Sequence, residues 1–166
     1  MTYIKPRSTL LHALGRLRAL LQASLVATVA VAACAAAAQT GPQPKLPTID
    51  LQAGMHVIKA ELAITPEQQQ IGMMFRRTMG ANEAMLFIEE TASVRCFWMR
   101  NTFIPLSIAF LADDGTIVNI ADMQPQSDQS HCSAQPVRYA LEMNMGWFAK
   151  RGLKAGSRIR GGPFGK

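Results

Sequence analysis

The sequence predicts a mainly β fold: a small β-sandwich or barrel-like domain with two short helices, preceded by a signal peptide. Three observations lead to this prediction. About six apolar runs of strand length lie between residues 51 and 162, separated by turn-forming residues. An Asp-Gly pair joins two of these runs, which is a strong signal for a β-hairpin. Helical signals are confined to two short segments, and this balance favours a β-rich sandwich or small barrel.

The first predicted strand, 55–64, leads directly into a helix. Thr65 can cap this helix and Pro66 can occupy its first position, so we expect a short helix over 66–77. A later strand is predicted at 93–101. It carries apolar residues on both faces, which predicts burial on both sides.

The hairpin is predicted around Asp114 and Gly115, between apolar runs at 104–111 and 116–123. Farther along, the run at 136–144 alternates apolar and polar residues, so we expect one of its faces in the core and the other in solvent. The remaining predicted elements are strands at 84–90 and 157–161 and a short helix at 145–152.

The first 38 residues have the layout of a secretory signal peptide. Four basic residues precede an uncharged, alanine-rich stretch at 19–38, and a polar, proline-rich stretch follows it. The sequence VAAC that ends at Cys34 resembles the bacterial lipoprotein signal, in which the cysteine is acylated. Cleavage near Ala38 and an uncleaved membrane anchor are the alternatives. We therefore predict an exported protein, in the periplasm or anchored to the membrane of the cell envelope.

Four segments are expected along the chain. The signal peptide is followed by a linker, one β-rich domain and a short tail, because the remaining length suits a single domain. Their predicted boundaries are 1–38 for the signal peptide, 39–50 for the linker, 51–162 for the domain and 163–166 for the tail.

The net charge of +6 belongs mostly to the predicted signal peptide. Four of the seventeen Lys and Arg residues precede Gln39, which leaves thirteen against eleven Asp and Glu, about +2. The net charge that remains after the predicted signal peptide is excluded is too small to support nucleic-acid binding. The charged residues after Glu142 are all basic. We interpret them as a solvated face, and contact with anionic lipid head groups is the alternative.

Cys96 and Cys132 are the pair that remains when Cys34 is either lipidated or removed. An even pair of cysteines in an exported protein predicts a disulfide. Closing this loop would stabilise the fold by about 3 to 4 kcal/mol in the chain-entropy account. A metal site that adds the neighbouring His131 is the alternative, which the absence of CxxC or HxxxH spacing disfavours.

Six short motifs carry a resemblance to a known family. They are GMMFR at 72–76, AMLF at 84–87, FWMRNT at 97–102, IPL at 104–106, Asp-Gly at 114–115 and Leu-Glu at 141–142. In this order and spacing they resemble the bacterial and archaeal family catalogued as domain of unknown function 192, from about residue 55 to residue 159. The resemblance implies a compact, β-rich and often exported domain, and no established activity. Where the family commonly has an aspartate, this chain has Ser107.

The block at 98–102 is the predicted ligand site. Trp98 and Arg100 would share a strand face roughly 7 Å apart, which suits a pocket with a stacking wall and a cationic end. Asn101 and Thr102 would add hydrogen-bonding groups for a carboxylate, a phosphate or sugar hydroxyls. The same polar cluster is expected to include Arg76 and Glu142.

The alternative for this block is purely architectural. In that interpretation Arg100 pairs with Glu142 or Glu89 inside the fold, because buried polar groups are usually satisfied. Asn101 and Thr102 would then satisfy backbone groups in a turn.

Other chemistry has less support in the sequence. Methionines could bind copper in an exported protein, but no repeated array of them occurs, and Met more often fills core gaps. No GxSxG, GxxxxGK or HExxH motif is present. Cys96 and His131 could form a thiol–base pair, which a disulfide would disable. We predict no cofactor and lean against an enzyme. The predicted function is binding of a small polar or anionic ligand, or of an envelope partner, at 98–102; the alternative is a structural or assembly factor without a pocket.

Overall fold

The computed structural model describes residues 40–165, and the predicted signal peptide with Cys34 lies outside them. Within the described residues the chain forms nine strands, one α-helix and two short 3₁₀-helices. In chain order these are β1 (Thr48–Ala53), β2 (His56–Ala63), α1 (Pro66–Ile71), β3 (Glu83–Ser93), β4 (Cys96–Phe97), β5 (Leu106–Leu111), β6 (Ile117–Met123), β7 (His131–Cys132), β8 (Val137–Asn144), a 3₁₀-helix (Ala149–Arg151), β9 (Ile159–Arg160) and a second 3₁₀-helix (Gly162–Phe164).

Seven of these strands form one curled sheet, in the order β6-β5-β8-β3-β2-β1-β9. Its strand pairs are antiparallel except β2 and β3, which run parallel and are connected through α1. The remaining strands, β4 and β7, form a separate two-stranded ribbon. The prediction of a mainly β, barrel-like domain is confirmed, in the form of a half-barrel.

The two edges of the curled sheet approach each other at the predicted hairpin. Thr116, just before β6, forms an antiparallel bridge with Arg158, just before β9. The amide of Ile159 donates to the carbonyl of Gly115 at 2.9 Å. Gly115 has a φ of +84°, and a Cβ atom there would lie 2.1 Å from the carbonyl oxygen of Ile159. The glycine is therefore required both for the turn and for the close approach of the two edges.

Apolar side chains are buried on both faces of the sheet. All six residues of β5 are buried. Because side chains alternate along a strand, Ala109 and Leu111 join one core, and Ile108 and Phe110 join the other. We call these the first core, which also holds Trp147 and Phe148, and the second core, which also holds Met73, Phe87, Met99 and Ile104.

The strand predicted at 93–101 is largely absent. Ser93 ends β3, and beyond it only Cys96–Phe97 is a strand, which pairs with the ribbon partner β7 rather than with the large sheet. Phe97 and Met99 pack on the second core, but Val94 is 56% exposed and Trp98 46% exposed. The expected burial on both sides is therefore wrong for this segment, because nothing in the described chain covers its outer side.

The first predicted helix is shorter than expected. The capping box is present: Thr65 accepts from the amide of Gln68, and the Gln68 side chain accepts from the amide of Thr65. The helix then stops at Ile71, because Gly72 takes a φ of 48° and ends it. The helix predicted at 145–152 is a turn followed by a 3₁₀-helix. In residues 40–165, no helix has the length and apolar character needed to cross a membrane.

Ordered structure extends beyond both expected ends of the domain. β1 begins at Thr48, inside the segment expected to be a linker. Gln43, earlier in that segment, is buried, and its side-chain amide donates to the carbonyls of Gln68 at 3.1 Å and Gly72 at 2.9 Å. At the other end, Phe164 of the expected tail is buried in the first core.

Candidate functional site

A cleft of about 400 Å³ opens beside the end of α1, next to the second core. Residues 69–74 and residues 94–98 line it, and the sheet contributes Phe87 and Glu142. The end of α1 lies close to the sheet, since a Cβ atom on Gly72 would be 3.2 Å from the ring of Phe87. The rings of Phe87 and Phe97 meet edge to face at 4.9 Å. We call this space the Glu142 cleft.

Glu142 is the most unusual residue of the cleft. Its Cα partners on the adjacent strands are Met85 and Ile108, and only 4% of its surface is exposed. Its Oε2 atom is buried and has no hydrogen-bond partner among residues 40–165. Burial raises the pKa of Glu142 to about 8, although the positive charge of Arg76 acts in the opposite direction. The carboxyl group is therefore mostly protonated at neutral pH.

Arg76, which was predicted to join the polar cluster, pairs with a different glutamate. It donates two hydrogen bonds to Glu61, at 2.6 and 2.7 Å, and both side chains are buried. Glu61 also accepts from the amide of Leu46 and lies 3.0 Å from the amine of Lys45. Burial alone would raise the pKa of Glu61, but these hydrogen bonds outweigh it and lower the pKa to about 2. Because β2 and β8 both pair with β3, Glu61 and Glu142 flank the same residue, Met85.

Arg100 lies on the exposed side of the turn that follows β4. Its guanidinium sits 4.2 Å from the ring centroid of Trp98, and its Nε donates to Asp128 at 2.8 Å. The expected pairing of Arg100 with Glu142 or Glu89 is wrong. Because Phe97 and Met99 point towards the second core, the alternating side chain at position 100 points away from it.

Asn101 and Thr102 hold the turn through their backbone groups. Asn101 adopts a φ of 57°, and its carbonyl accepts from the amide of Phe75 at 2.8 Å. The amide of Thr102 donates to Met99, and its carbonyl accepts from Gln126, both at 3.0 Å. Thr102 lines the Glu142 cleft together with Trp98, whereas Arg100 and Asn101 do not.

Arg95 is a cleft residue that sequence reasoning missed. Its guanidinium lies 3.2 Å from the carboxylate of Glu89 and donates to the carbonyl of Thr91 at 2.8 Å. Its Nε atom is buried and has no partner within the described part of the chain. The sequence feature that could have identified Arg95 is its position directly before Cys96 of the predicted disulfide.

The predicted disulfide is confirmed. Cys96 and Cys132 are register partners of the β4–β7 ribbon, with their sulfur atoms 2.05 Å apart. Because both sulfur atoms form the disulfide, neither is a free thiolate that could bind a metal ion. The alternative metal site with His131 required these two ligands. Nowhere between residues 40 and 165 do three His, Cys, Asp or Glu side chains gather in a way that could hold a metal ion. The disulfide fixes the segment 94–98 that lines the cleft.

Ser107 is held in a small polar network near a second cleft, of about 470 Å³. Its hydroxyl donates to Asp122, its register partner on β6, and accepts from the amide of Gly146 at 2.8 Å. At this position of β5 the family commonly has an aspartate, and this chain has instead a hydroxyl that donates to the carboxylate of Asp122 on the adjacent strand.

Comparisons with known proteins agree with the fold. The DUF192 family model, described as Uncharacterized ACR, matches residues 48–161. A crystal structure of a candidate transcription regulator from Sinorhizobium meliloti 1021 is 34% identical, with a TM-score of 0.67, and the match covers 72% of this chain and 97% of that one. A protein of unknown function from Novosphingobium aromaticivorans DSM 12444 is also 34% identical, with a TM-score of 0.68, covering 73% of this chain and 91% of that one. No curated protein matches this chain.

Proposed function

Because the chain belongs to the DUF192 family, for which no activity is established, we propose its function from the Glu142 cleft. The protein binds a small organic molecule that has an apolar body and a polar end, and it does so outside the cytoplasm.

The observation that carries this proposal is the Oε2 atom of Glu142, which has no hydrogen-bond partner among residues 40–165 and lies beside a cleft that Phe87 and Phe97 line. A buried polar atom without a hydrogen bond costs about 1 to 3 kcal/mol, and a ligand that pairs with it recovers this free energy. The volume of about 400 Å³ lies within the range typical of small-molecule sites, and the lining combines aromatic and aliphatic side chains with polar ones.

The charges around the cleft favour a neutral polar group over an anion. Arg100, the cation expected to receive an anion, lies outside the cleft and pairs with Asp128. Arg95 lines the cleft, but its guanidinium already contacts Glu89. Trp98 remains half-exposed at the cleft and offers a stacking surface.

Export is the second part of the proposal. The layout of residues 1–38 supports it, and so does the disulfide, because structural disulfides persist mainly in oxidising compartments. Acylation of Cys34 would anchor the protein to the membrane. Fractionation of cells that express the full chain should place it in the envelope, and Cys34→Ala should release it from the membrane fraction. Recovery of the wild-type chain in the cytosol would contradict export.

Ligand binding can be tested with a thermal-shift screen of small metabolites and glycans. We expect at least one compound to raise the unfolding midpoint of the wild-type protein, because binding to the folded state stabilises it. Trp98→Ala should abolish this rise. Asp128→Ala, which disrupts a nearby surface ion pair outside the cleft, is the matched control and should retain it.

The alternative, a structural or assembly factor without a ligand, has one specific observation in its favour. Asn101 and Thr102 use their backbone groups to hold the turn, as an architectural role requires. A screen without any stabilising compound, combined with co-purification of an envelope protein that Trp98→Ala abolishes, would favour this function.

A further inference from the structure

The carboxyl of Glu142 lies in an apolar setting. Met85 and Ile108 flank it on the neighbouring strands, and Phe87 and Phe97 line the same cleft. No residue of the described chain donates a hydrogen bond to its Oε2 atom. This oxygen therefore keeps its full hydrogen-bonding capacity, and because it is itself buried, a ligand pairs with it once the Glu142 side chain turns towards the cleft.

The charged groups around Glu142 already have partners of their own. Arg76, whose charge acts on Glu142, donates both of its hydrogen bonds to Glu61. Glu89 and Arg95, which line the cleft, lie 3.2 Å apart. An ionised Glu142 would thus be a buried charge without a counter-ion, which is far more costly than a buried neutral acid.

A neutral carboxyl presents one O–H donor beside one C=O acceptor. The complementary group offers one N–H beside one C=O, which is the pattern of a primary amide, a lactam or a cyclic ureide. Resting on the proposed function and deepening it, we propose that Glu142 stands protonated in the cleft and pairs edge to edge with a carboxamide-type group of the ligand.

An ammonium group fits the surroundings less well. It would require Glu142 to be ionised, and it would approach Arg76, whose positive charge acts on Glu142. The aromatic rings of Phe87 and Phe97 would contact the apolar part of the ligand in either case.

Three probes of matched shape distinguish these ligand classes: benzamide, benzylamine and benzoate. Binding to the mature protein is measured by calorimetry at about pH 6 and about pH 9, on either side of the pKa of Glu142 and at pH values where benzylamine still carries its ammonium group. We expect benzamide to bind best at the lower pH and to lose at least about tenfold in affinity at the higher pH, where the donor is gone. Glu142→Gln keeps a donor and an acceptor, so it should bind benzamide at both pH values. Glu142→Leu should not bind it.

Two control results are also expected. Glu90→Gln removes an exposed carboxylate of β3 that does not line the cleft, and it should leave the binding of benzamide and its loss at high pH unchanged. Preference for benzylamine that rises with pH, equal binding of benzamide by Glu142→Leu, or failure of all three probes to bind would overturn the carboxamide assignment. The proposed function would survive that failure if another compound still protected the wild type and not Trp98→Ala.

A second measurement needs no ligand. Glu142 is neutral in the folded protein up to about pH 8 but ionises at about pH 4.5 once unfolded, so the folded state holds the extra proton between these values. The free energy of unfolding of the wild type, measured in urea, should therefore fall relative to that of Glu142→Gln as the pH rises from 4.5 to 8. A difference that stays constant across this window would show that Glu142 is not held protonated and would overturn the proposal.

Discussion

Arg76 and Arg100 occupy opposite environments although both were expected in one polar cluster. Arg76 is 8% exposed and is bound to Glu61 through both of its terminal nitrogens. Arg100 has a side chain that is 51% exposed, and its partner Asp128 is more exposed still. Solvent screens the second pair and not the first, so their contributions to stability should differ strongly.

Replacing each arginine by alanine tests this difference. Arg76→Ala leaves Glu61 as a buried charge with only Lys45 and a backbone amide beside it, and we expect a loss of about 3 to 5 kcal/mol in the free energy of unfolding. Arg100→Ala should cost no more than about 1 kcal/mol. Urea unfolding at neutral pH measures both, and similar losses for the two variants would contradict the assignment.

The acid side of the stability profile gives an independent check. The pKa of Glu61 is about 2 in the folded protein and 4.5 when unperturbed. Its stabilising contribution is therefore fully present above about pH 4.5 and disappears as the pH falls towards 2. Arg76→Ala should flatten this part of the profile, since the main hydrogen-bond donor to Glu61 is gone.

At the scale of elements, closure of the curled sheet depends on the hairpin before β6. Gly115 and Gly54 both have positive φ values, +84° and +60°. A Cβ atom at Gly54 meets nothing within 4 Å, whereas at Gly115 it would overlap the carbonyl oxygen of Ile159. Gly54 therefore needs glycine only for its left-handed backbone conformation. Gly115 needs it both for that conformation and because a side chain would not fit.

Gly54→Ala should lose only the cost of a left-handed backbone, about 1 to 2 kcal/mol. Gly115→Ala should lose at least about 2 kcal/mol more, because β9 must move away from the hairpin. Chemical denaturation gives the two values, and faster hydrogen exchange at the amide of Ile159 should accompany only the second. Equal losses would mean that the contact between the sheet edges contributes little.

At the scale of the whole molecule, the disulfide ties the β4–β7 ribbon across a long loop. The Cys96→Ala/Cys132→Ala variant should be less stable by about 3 to 4 kcal/mol, because its unfolded chain is less constrained. Reduction of the wild type should lower its unfolding midpoint to about that of the variant. The midpoint of the variant should not change on reduction. A wild-type midpoint that does not respond to reduction would contradict this role.

The basic residues near the C-terminus are partly structural. Arg151 sits 4.1 Å from the ring centroid of Trp147 and donates to its carbonyl. Arg158 donates to the carbonyl of Asp114 at 2.8 Å. Contact of this region with anionic lipid head groups stays a prediction.

The sequence by itself determined the local structure of this protein. Alternating and continuous apolar runs located β2, β3, β5, β6 and β8 to within a few residues, because side-chain periodicity is a property of each segment alone. The Asp-Gly hairpin and the Thr65 cap are equally local. The disulfide followed from the number of cysteines once export was assumed.

Only the tertiary structure decided what each polar side chain meets. Glu61 and Glu142 are far apart in the chain and flank Met85 because β3 pairs with both of their strands. Glu61 accepts two hydrogen bonds from Arg76, whereas the Oε2 atom of Glu142 has no partner in the described part of the chain, and no local pattern distinguishes the two glutamates. The partner of a buried polar group depends on which distant segments the sheet brings together, so the Glu142 cleft emerges only when the whole sheet is assembled.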